Sequence, residues 1–199
     1  MKLSSLKVLE LNEKYKLIEN LSKMQLENPE GVELELRVGR VEKIIGPSFL
    51  GVDREDELGK RFSPLTELIA DITVDGNKKI TMESDDYFLV RTIETINCPS
   101  DKIKYDVNSP PGYIIPGIKP RVSLQLGGVS LLCSTTNPGY SGPLTFGLKN
   151  NSKEKFDFEL GARMFKIYWE PVIGEIKRTY EGQHQGERMT SQGEVEEQN

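Results

Sequence analysis

The chain has 199 residues, of which 36% are hydrophobic and 29% are charged, a balance typical of a folded domain with its own core. Its formal net charge of -5 excludes a broad basic surface for duplex nucleic acid, although local Arg or Lys side chains can still meet a small anionic ligand. The single histidine, His184, excludes a His-rich zinc site, and any Ser-His-Asp triad would have to use it.

The cellular compartment is predicted from two features. No apolar run is long enough to cross a bilayer, and the N-terminus lacks the apolar core of a signal peptide, so we expect a cytoplasmic protein. Cys98 and Cys133 show no metal-ligand spacing, and although their number allows a disulfide, we expect two buried free thiols.

Residues 1–30 are predicted to form an N-terminal helical element. Apolar side chains follow helical spacing in parts of residues 7–27, which indicates one or two short helices. Turn-forming residues at 28–31 end this pattern. From Val32 the chain alternates apolar and charged residues, as a strand with one buried face does.

Residues 31–175 continue as short alternating segments separated by Gly, Pro, Asn and Asp, which predicts a β-sandwich or barrel. The predicted strands after the first are "KITM", "DYFLVRTIETI", "GYIIPGI", "VSLQLGGVSLL", "PLTFGLKN", "KFDFEL" and "RMFKIYWEPV". Residues 53–77 are a charged excursion, expected to be a loop with a short helix. Residues 176–199 form a polar tail, predicted to be a flexible terminus or a segment that orders over a ligand or a neighbouring subunit.

Six segments in this order resemble the motifs of one superfamily: "GVELELRVGRV" (31–41), "RTIETINCPSD" (91–101), "PRVSLQLGG" (120–128), "NPGYSGPLTFGLKN" (137–150), "LGARMFKIYW" (160–169) and "YEGQHQG" (180–186). The superfamily is that of the trimeric dUTPases and dCTP deaminases, and the spacing is closest to the dCTP deaminase branch. The resemblance implies a mainly β fold, a dUTPase-like distorted β-barrel or jelly roll. It also implies a homotrimer with active sites between subunits.

The hairpin around residues 137–150 is the candidate site for a pyrimidine base and its deoxyribose. Pro and Gly fix a tight turn there, and a second glycine permits close approach to backbone N–H and C=O groups. The predicted base and sugar residues are Asn137, Gly139, Tyr140, Gly142 and Thr145. Tyr140 would pack against the deoxyribose; the alternative is an ordinary turn aromatic.

Phosphate contacts are predicted from Arg121 and from the tail. A guanidinium binds phosphate oxygens bidentately, although Arg121 could equally form a structural ion pair. Ser123 and Gln125 are expected on the same face of a strand as Arg121. Donor side chains of the tail would close over a triphosphate: Lys177, Arg178, Tyr180, Gln183, His184, Gln185 and Arg188. The phosphate-binding set is therefore Arg121, Ser123, Gln125, Tyr180, Gln183 and Gln185.

Several residues depart from the superfamily's pattern. Gly147 stands where the deaminases carry their acid/base glutamate, and Asn137 stands where the dUTPases carry the aspartate that activates water. Neither replacement can accept a proton as a carboxylate does. Further departures are Val122 for a phosphate-contacting serine, Leu126 for an arginine near the base and Lys166 for a glutamine; Glu35 for an aspartate is a milder change that keeps the carboxylate. The displaced carboxylates that could compensate are those of Glu35, Glu94, Asp101 and Asp106.

Three functions remain open from these residues. The favoured one is binding of a pyrimidine deoxynucleoside triphosphate with Mg²⁺ and dUTP-type hydrolysis between the α- and β-phosphates, with Asn137 holding the water and no direct protein ligand to the metal. The alternatives are dCTP deamination by a displaced acid/base, and a non-catalytic relative that senses nucleotide or acts as a scaffold. A nucleic acid polymer or a membrane is not expected as a partner.

Overall fold

The computed structural model describes residues 1–51, 61–182, 184–186 and 189–196. Within these residues the helices are α1 (Ser5–Tyr15), α2 (Lys23–Glu27), α3 (Ile72–Asp75) and α4 (Val122–Leu126). The strands are β1 (Ile18–Glu19), β2 (Leu34–Ile44), β3 (Thr66–Asp71), β4 (Lys79–Met82), β5 (Tyr87–Asn97), β6 (Ile114–Pro120), β7 (Val129–Leu132), β8 (Ser141–Asn150), β9 (Phe156–Glu159) and β10 (Arg163–Pro171). None of the described helices is both long and apolar enough to cross a membrane.

One antiparallel sheet contains most of the strands, in the order β6-β10-β2-β5-β8-β7. Strand β3 also pairs with β2, and β1 pairs with β5. The outer strands β6 and β7 approach each other, so the sheet is a nearly closed barrel. Strands β4 and β9 form a separate two-stranded ribbon. The predicted mainly β, barrel-like fold is confirmed.

The barrel interior is filled by alternate residues of the long strands. In β5 every second side chain is buried, which is the period-two pattern expected when one face of a sheet meets the core. Strand β10 contributes Phe165, Ile167 and Trp169, all at most 1% exposed. Full burial of a large apolar side chain contributes roughly 1.5–3 kcal/mol, so these positions hold the barrel together.

The N-terminal segment packs onto the same core. Ser4 caps α1, because its hydroxyl accepts a hydrogen bond from the Lys7 N–H, and the helix ends at Lys16 in the left-handed conformation. Val8 and Leu11 of α1 are buried. The two short helices agree with the sequence prediction, while the boundary between residues 1–30 and 31–175 stays a prediction.

Three local predictions were wrong. In the charged excursion 53–77 the expected short helix is present as α3, but residues predicted as loop form strand β3, which pairs with β2; residues 52–60 lie outside the described residues. The segment predicted as one strand after Arg121 begins instead with helix α4, so Ser123 and Gln125 do not share a face. Cys133 is exposed, and only Cys98 is a buried thiol; both cysteines are free.

Candidate functional site

The turn at Asn137–Tyr140 is held against the end of β5. The Tyr140 N–H donates to the Asn137 carbonyl over 3.1 Å, which closes the turn. The Gly139 N–H donates to the Cys98 carbonyl, and the Cys98 N–H donates to the Tyr140 carbonyl, at 2.9 and 2.8 Å. Gly139 has φ +97°, a conformation that favours glycine. The predicted Pro-Gly turn is therefore present, at the end of a longer loop (133–140) between β7 and β8.

Tyr140 is packed against residues of its own chain, with 9% of its surface exposed. Its hydroxyl donates to the Pro143 carbonyl over 2.7 Å, and its ring meets the Tyr180 ring edge-on at 5.7 Å. Burial raises the pKa of Tyr140 to about 12. The phenol is therefore neutral at physiological pH, and the predicted contact of this ring with a deoxyribose stays a prediction.

A cleft of about 390 Å³ lies between the loop 133–140, the start of β8 and the tail; we call it the Asn137 cleft. The loop contributes mainly polar side chains to its lining, and β8 and the tail add several apolar ones. The lining consists of Ser134, Thr135, Thr136, Asn137, Tyr140, Leu144, Thr145, Phe146, Tyr180, His184 and Met189. The structure thus brings together three predicted base and sugar residues and one predicted phosphate residue, Tyr180. Gly139 and Gly142 lie beside the cleft, in the turn and at the start of β8, and do not line it.

The tail binds the hairpin backbone through Gln185. The Ser141 N–H donates to Gln185 Oε1 over 2.8 Å, and Gln185 Nε2 donates to the Gly139 carbonyl over 2.7 Å. The next residue, Gly186, donates its N–H to the Ser141 carbonyl over 2.8 Å. Gln185 was predicted to contact phosphate; in the structure its carboxamide instead binds the hairpin edge. Gln183 lies outside the described residues.

Close approach to the tail explains the glycine at 142. A Cβ at this position would lie 2.3 Å from the Gly186 carbonyl oxygen, which is shorter than any real contact. The sequence predicted that Gly142 permits close backbone approach, and the group that approaches is the protein's own tail.

The end of the tail contacts a second region, residues 61–66. The Ser63 N–H donates to the Ser191 hydroxyl over 3.0 Å, and Gln192 bonds both the N–H and the hydroxyl of Thr66. Glu196 pairs with Arg61 through backbone hydrogen bonds and an ion pair. The described tail therefore has specific contacts within its own chain, which the polar sequence alone did not predict.

Arg121 lies in a different cleft of about 540 Å³, which we call the Arg121 cleft. Its Nε lies 2.9 Å from one oxygen of Glu35, whose other oxygen pairs with Arg163. The lining is Met24, Gln25, Asn28, Pro29, Glu30, Gly31, Val32, Glu33, Glu35, Arg121, Arg163 and Lys166. Ser123 and Gln125, on exposed positions of α4, line neither this cleft nor the Asn137 cleft.

Candidate carboxylates lie away from the Asn137 cleft. Glu94 is fully buried and bound to Arg37, whose backbone N–H and Nε lie 2.8 and 2.7 Å from its oxygens; burial raises the pKa of Glu94. Glu35 belongs to the Arg121 cleft, and neither Asp101 nor Asp106 lines the Asn137 cleft. A displaced carboxylate from this set is therefore not found at the hairpin.

The position of the missing deaminase glutamate is filled by another side chain. A Cβ on Gly147 would lie 2.2 Å from the Tyr87 hydroxyl oxygen, so the phenol occupies the space over this glycine. Desolvation raises the pKa of Tyr87. Across the part of the chain that the structure describes, no group of three His, Cys, Asp or Glu side chains is placed to hold a metal ion.

His184 is the main cleft residue whose position the sequence did not predict. It was grouped with the phosphate-closing donors of the tail, whereas the structure places it on the wall of the Asn137 cleft, exposed to solvent. The hydroxyls of Ser134, Thr135 and Thr136 were also missed. The sequence signal that could have identified these three residues is their position directly before the Asn-Pro-Gly turn.

Comparison with known proteins agrees with this architecture. The sequence model of the dCTP deaminase-like family matches residues 3–172. The dCTP deaminase of Pyrococcus furiosus is 29% identical over 115 residues, 58% of this chain and 66% of the relative. That of Thermococcus kodakarensis is 29% identical over 109 residues, 55% of this chain and 63% of the relative. The chain thus spans just under two thirds of the length of these curated relatives.

A solved structure shares the fold. The 2'-deoxycytidine 5'-triphosphate deaminase from Agrobacterium tumefaciens superposes with a TM-score of 0.57 at 13% identity. The superposition covers 84% of this chain and 47% of that one. At this identity the likeness concerns the fold alone.

Proposed function

Because the chain belongs to the dCTP deaminase-like family, we propose that it binds a pyrimidine deoxynucleoside triphosphate at the Asn137 cleft and hydrolyses it between the α- and β-phosphates. The observation that carries this proposal is the cleft itself, where Asn137 and Thr145 face the same space at the start of β8. Asn137 is exposed there, so its amide is available to position a water molecule.

Hydrolysis is favoured over ring deamination by the chemistry of the lining. Deamination of cytosine needs a group that moves protons at the ring, and Gly147, covered by Tyr87, supplies none. Hydrolysis of a phosphoanhydride depends mostly on positioning and on neutralising the phosphate charge. The residues in and near the two clefts are better suited to hydrolysis of the phosphoanhydride than to deamination.

The phosphates would be bound by the Arg121 cleft of a neighbouring subunit in a homotrimer. The two clefts have no lining residue in common, and the Asn137 cleft has no Arg or Lys among its described lining residues. A triphosphate that starts in one cleft therefore needs cations from elsewhere, and the Arg121 cleft offers Arg121, Arg163 and Lys166. Phosphate would replace Glu35 as the partner of Arg121.

Mg²⁺ enters this proposal only with the nucleotide. The described residues do not fit a direct metal site, so the ion would be bound by phosphate oxygens and water, and no step of the chemistry is assigned to it here. The cytoplasm, where deoxynucleoside triphosphates are made and used, is the compartment that fits this function.

A second candidate is a relative that binds nucleotide without turnover. The covered Gly147 and the amide at Asn137 favour it, because both carboxylates of the superfamily's chemistry are absent from these positions. The deamination alternative has no comparable support, since Glu35 and Glu94 are bound to arginines away from the cleft.

One experiment separates these candidates. The purified protein is incubated with Mg²⁺ and either dUTP or dCTP, and the products are resolved by ion exchange. We expect monophosphate and pyrophosphate; dUTP formed from dCTP would contradict the proposal in favour of deamination. A rise in melting temperature without turnover would identify a binding relative. Light scattering tests the homotrimer, and a monomer would exclude the shared site.

A further inference from the structure

The described lining of the Asn137 cleft contains no carboxylate that could act as a catalytic base. Its described lining residues include hydroxyls, one amide, two phenols and apolar side chains, and no Asp, Glu, Lys or Arg. Tyr140 has its pKa raised to about 12, and the thiol of Cys98, which contacts Thr136 behind the lining, has its pKa raised to about 12 by burial. These groups keep their protons at physiological pH.

His184 is the exception among these side chains. Imidazole is the side chain whose ordinary pKa lies near neutral pH, where a base must accept a proton and later release it. The other titratable side chains among the described lining residues are the phenols of Tyr140 and Tyr180.

The residues around His184 are anchored on both sides. Its backbone N–H donates to the Tyr180 hydroxyl over 3.1 Å, and the Tyr180 N–H donates to the Pro138 carbonyl over 2.7 Å. On the other side, Gln185 and Gly186 bind the hairpin backbone through the three hydrogen bonds described above. The imidazole is therefore presented to the cleft by a fixed backbone.

We propose that His184 is the general base of the hydrolysis proposed above, and this inference rests on that proposed function. The imidazole accepts a proton from a water molecule that the Asn137 amide orients. The water oxygen forms a bond to the α-phosphorus while the bond from that phosphorus to the bridging oxygen breaks. Pyrophosphate leaves with the bonding electron pair, and the imidazolium returns its proton to solvent.

The kinetic test compares two tail variants. His184→Gln removes the base and keeps a polar side chain at an exposed position; Gln192→Ala is the matched control, since it removes a tail carboxamide that binds Thr66 outside the cleft. We expect His184→Gln to lower kcat for dUTP by about 10²- to 10⁴-fold with little change in KM, and to abolish the acid limb of the pH–rate profile. The Gln192→Ala variant should retain the kcat of the unaltered protein and the acid limb of its pH–rate profile.

The second readout is the imidazole itself. Because the chain has a single histidine, its Cε1–H signal in the NMR spectrum needs no assignment by mutagenesis. Titrated with the α,β-imido analogue of dUTP, this signal should shift, and the pKa of His184 should rise, because phosphate charge stabilises the imidazolium.

The outcomes distinguish the inference from the function on which it rests. Turnover that survives in His184→Gln with its acid limb intact, or a histidine signal that does not change on binding of the analogue, would overturn the inference alone. Absence of turnover of dUTP and dCTP by the unaltered protein would overturn the proposed function, and the inference with it.

Discussion

The Arg121 cleft and the Asn137 cleft of this chain satisfy their polar groups in different ways. In the Arg121 cleft, charges compensate one another: Glu35 lies between Arg121 and Arg163, and Lys166 pairs with Glu33. In the Asn137 cleft the described lining carries hydroxyls, an amide and the His184 imidazole but no carboxylate, Lys or Arg, and the nearby hairpin edge is bound by the carboxamide of Gln185. One cleft is therefore suited to a charged ligand group and the other to a neutral one.

Under the proposed function, neither cleft alone is a complete site for a nucleoside triphosphate. A base and sugar need directed hydrogen bonds at low charge, whereas phosphates need cations that are already desolvated and oriented. The proposal therefore requires the two clefts to act on one ligand. The following predictions test that division, beginning with the largest expected effect after the loss of His184.

Removal of Arg121 should weaken the binding of phosphate in the Arg121 cleft. We expect Arg121→Ala to weaken dUTP binding by about 10- to 100-fold, the value of a hydrogen bond to a charged group, and to leave deoxyuridine binding unchanged. Isothermal titration with both ligands measures this. Lys79→Ala, which removes an ion pair on the separate β4–β9 ribbon, is the control. Equal loss for dUTP and deoxyuridine would contradict the assignment of phosphate to Arg121.

A side chain at Gly147 should destabilise the strand beside the neutral cleft. In Gly147→Ala the new methyl group meets the Tyr87 phenol, and such overpacking costs about 1–3 kcal/mol of unfolding free energy. Urea denaturation measures the loss, and Tyr87→Ala combined with Gly147→Ala should recover part of it. If Gly147→Ala is as stable as the unaltered protein, the Tyr87 phenol moves away from the new methyl group at little cost and does not restrict this position.

The salt concentration should affect ligand binding at the two clefts differently. Ions screen the partly exposed charges of the Arg121 cleft, so affinity for dUTP should fall as NaCl is raised from 0.05 to 0.5 M, about the range over which the Debye length shortens below ~10 Å. Affinity for deoxyuridine, which lacks phosphate, should hardly change. Parallel salt dependence of the two ligands would argue against a neutral cleft for the nucleoside.

The smallest expected effect is that of Glu94, and it concerns only the free energy of unfolding. Since burial raises its folded-state pKa above the usual 4.5, the folded protein binds this proton more readily than the unfolded chain. The free energy of unfolding should therefore fall as pH rises from about 4.5 to the folded-state pKa, and Glu94→Gln should flatten this dependence. Urea midpoints between pH 4 and 8 measure it; an unchanged pH profile in Glu94→Gln would contradict the assignment.

The barrel could be predicted because the order of apolar and polar residues in its strands reflects which side chains are buried. Strands β2, β5 and β10 alternate in sequence, since one face of each meets the core. Strand β3 was missed because its first residues are largely exposed on both faces, which removes the alternation. Helix α4 was missed because five residues fit both periods: it buries Leu124 and exposes Val122 and Leu126.

The candidate site was predictable where local chemistry determines it. The Asn-Pro-Gly turn follows from the backbone preferences of its residues. The pairing of Arg121 with Glu35, the cover of Tyr87 over Gly147 and the binding of the tail to residues 139–141 depend on segments far apart in the chain. Polar contacts of this kind leave no periodic pattern in the sequence.

The contact of the tail with Ser141 has a consequence for the sheet itself. Strand β7 pairs with β8 only along residues 147–150, so within the described residues the first part of β8 has no strand partner on that side. An uncovered strand edge is a template on which another chain can add by backbone pairing. Gln185 and Gly186 occupy the backbone groups of Ser141 at the beginning of that edge, so we expect the tail to hinder the pairing of another chain at this point.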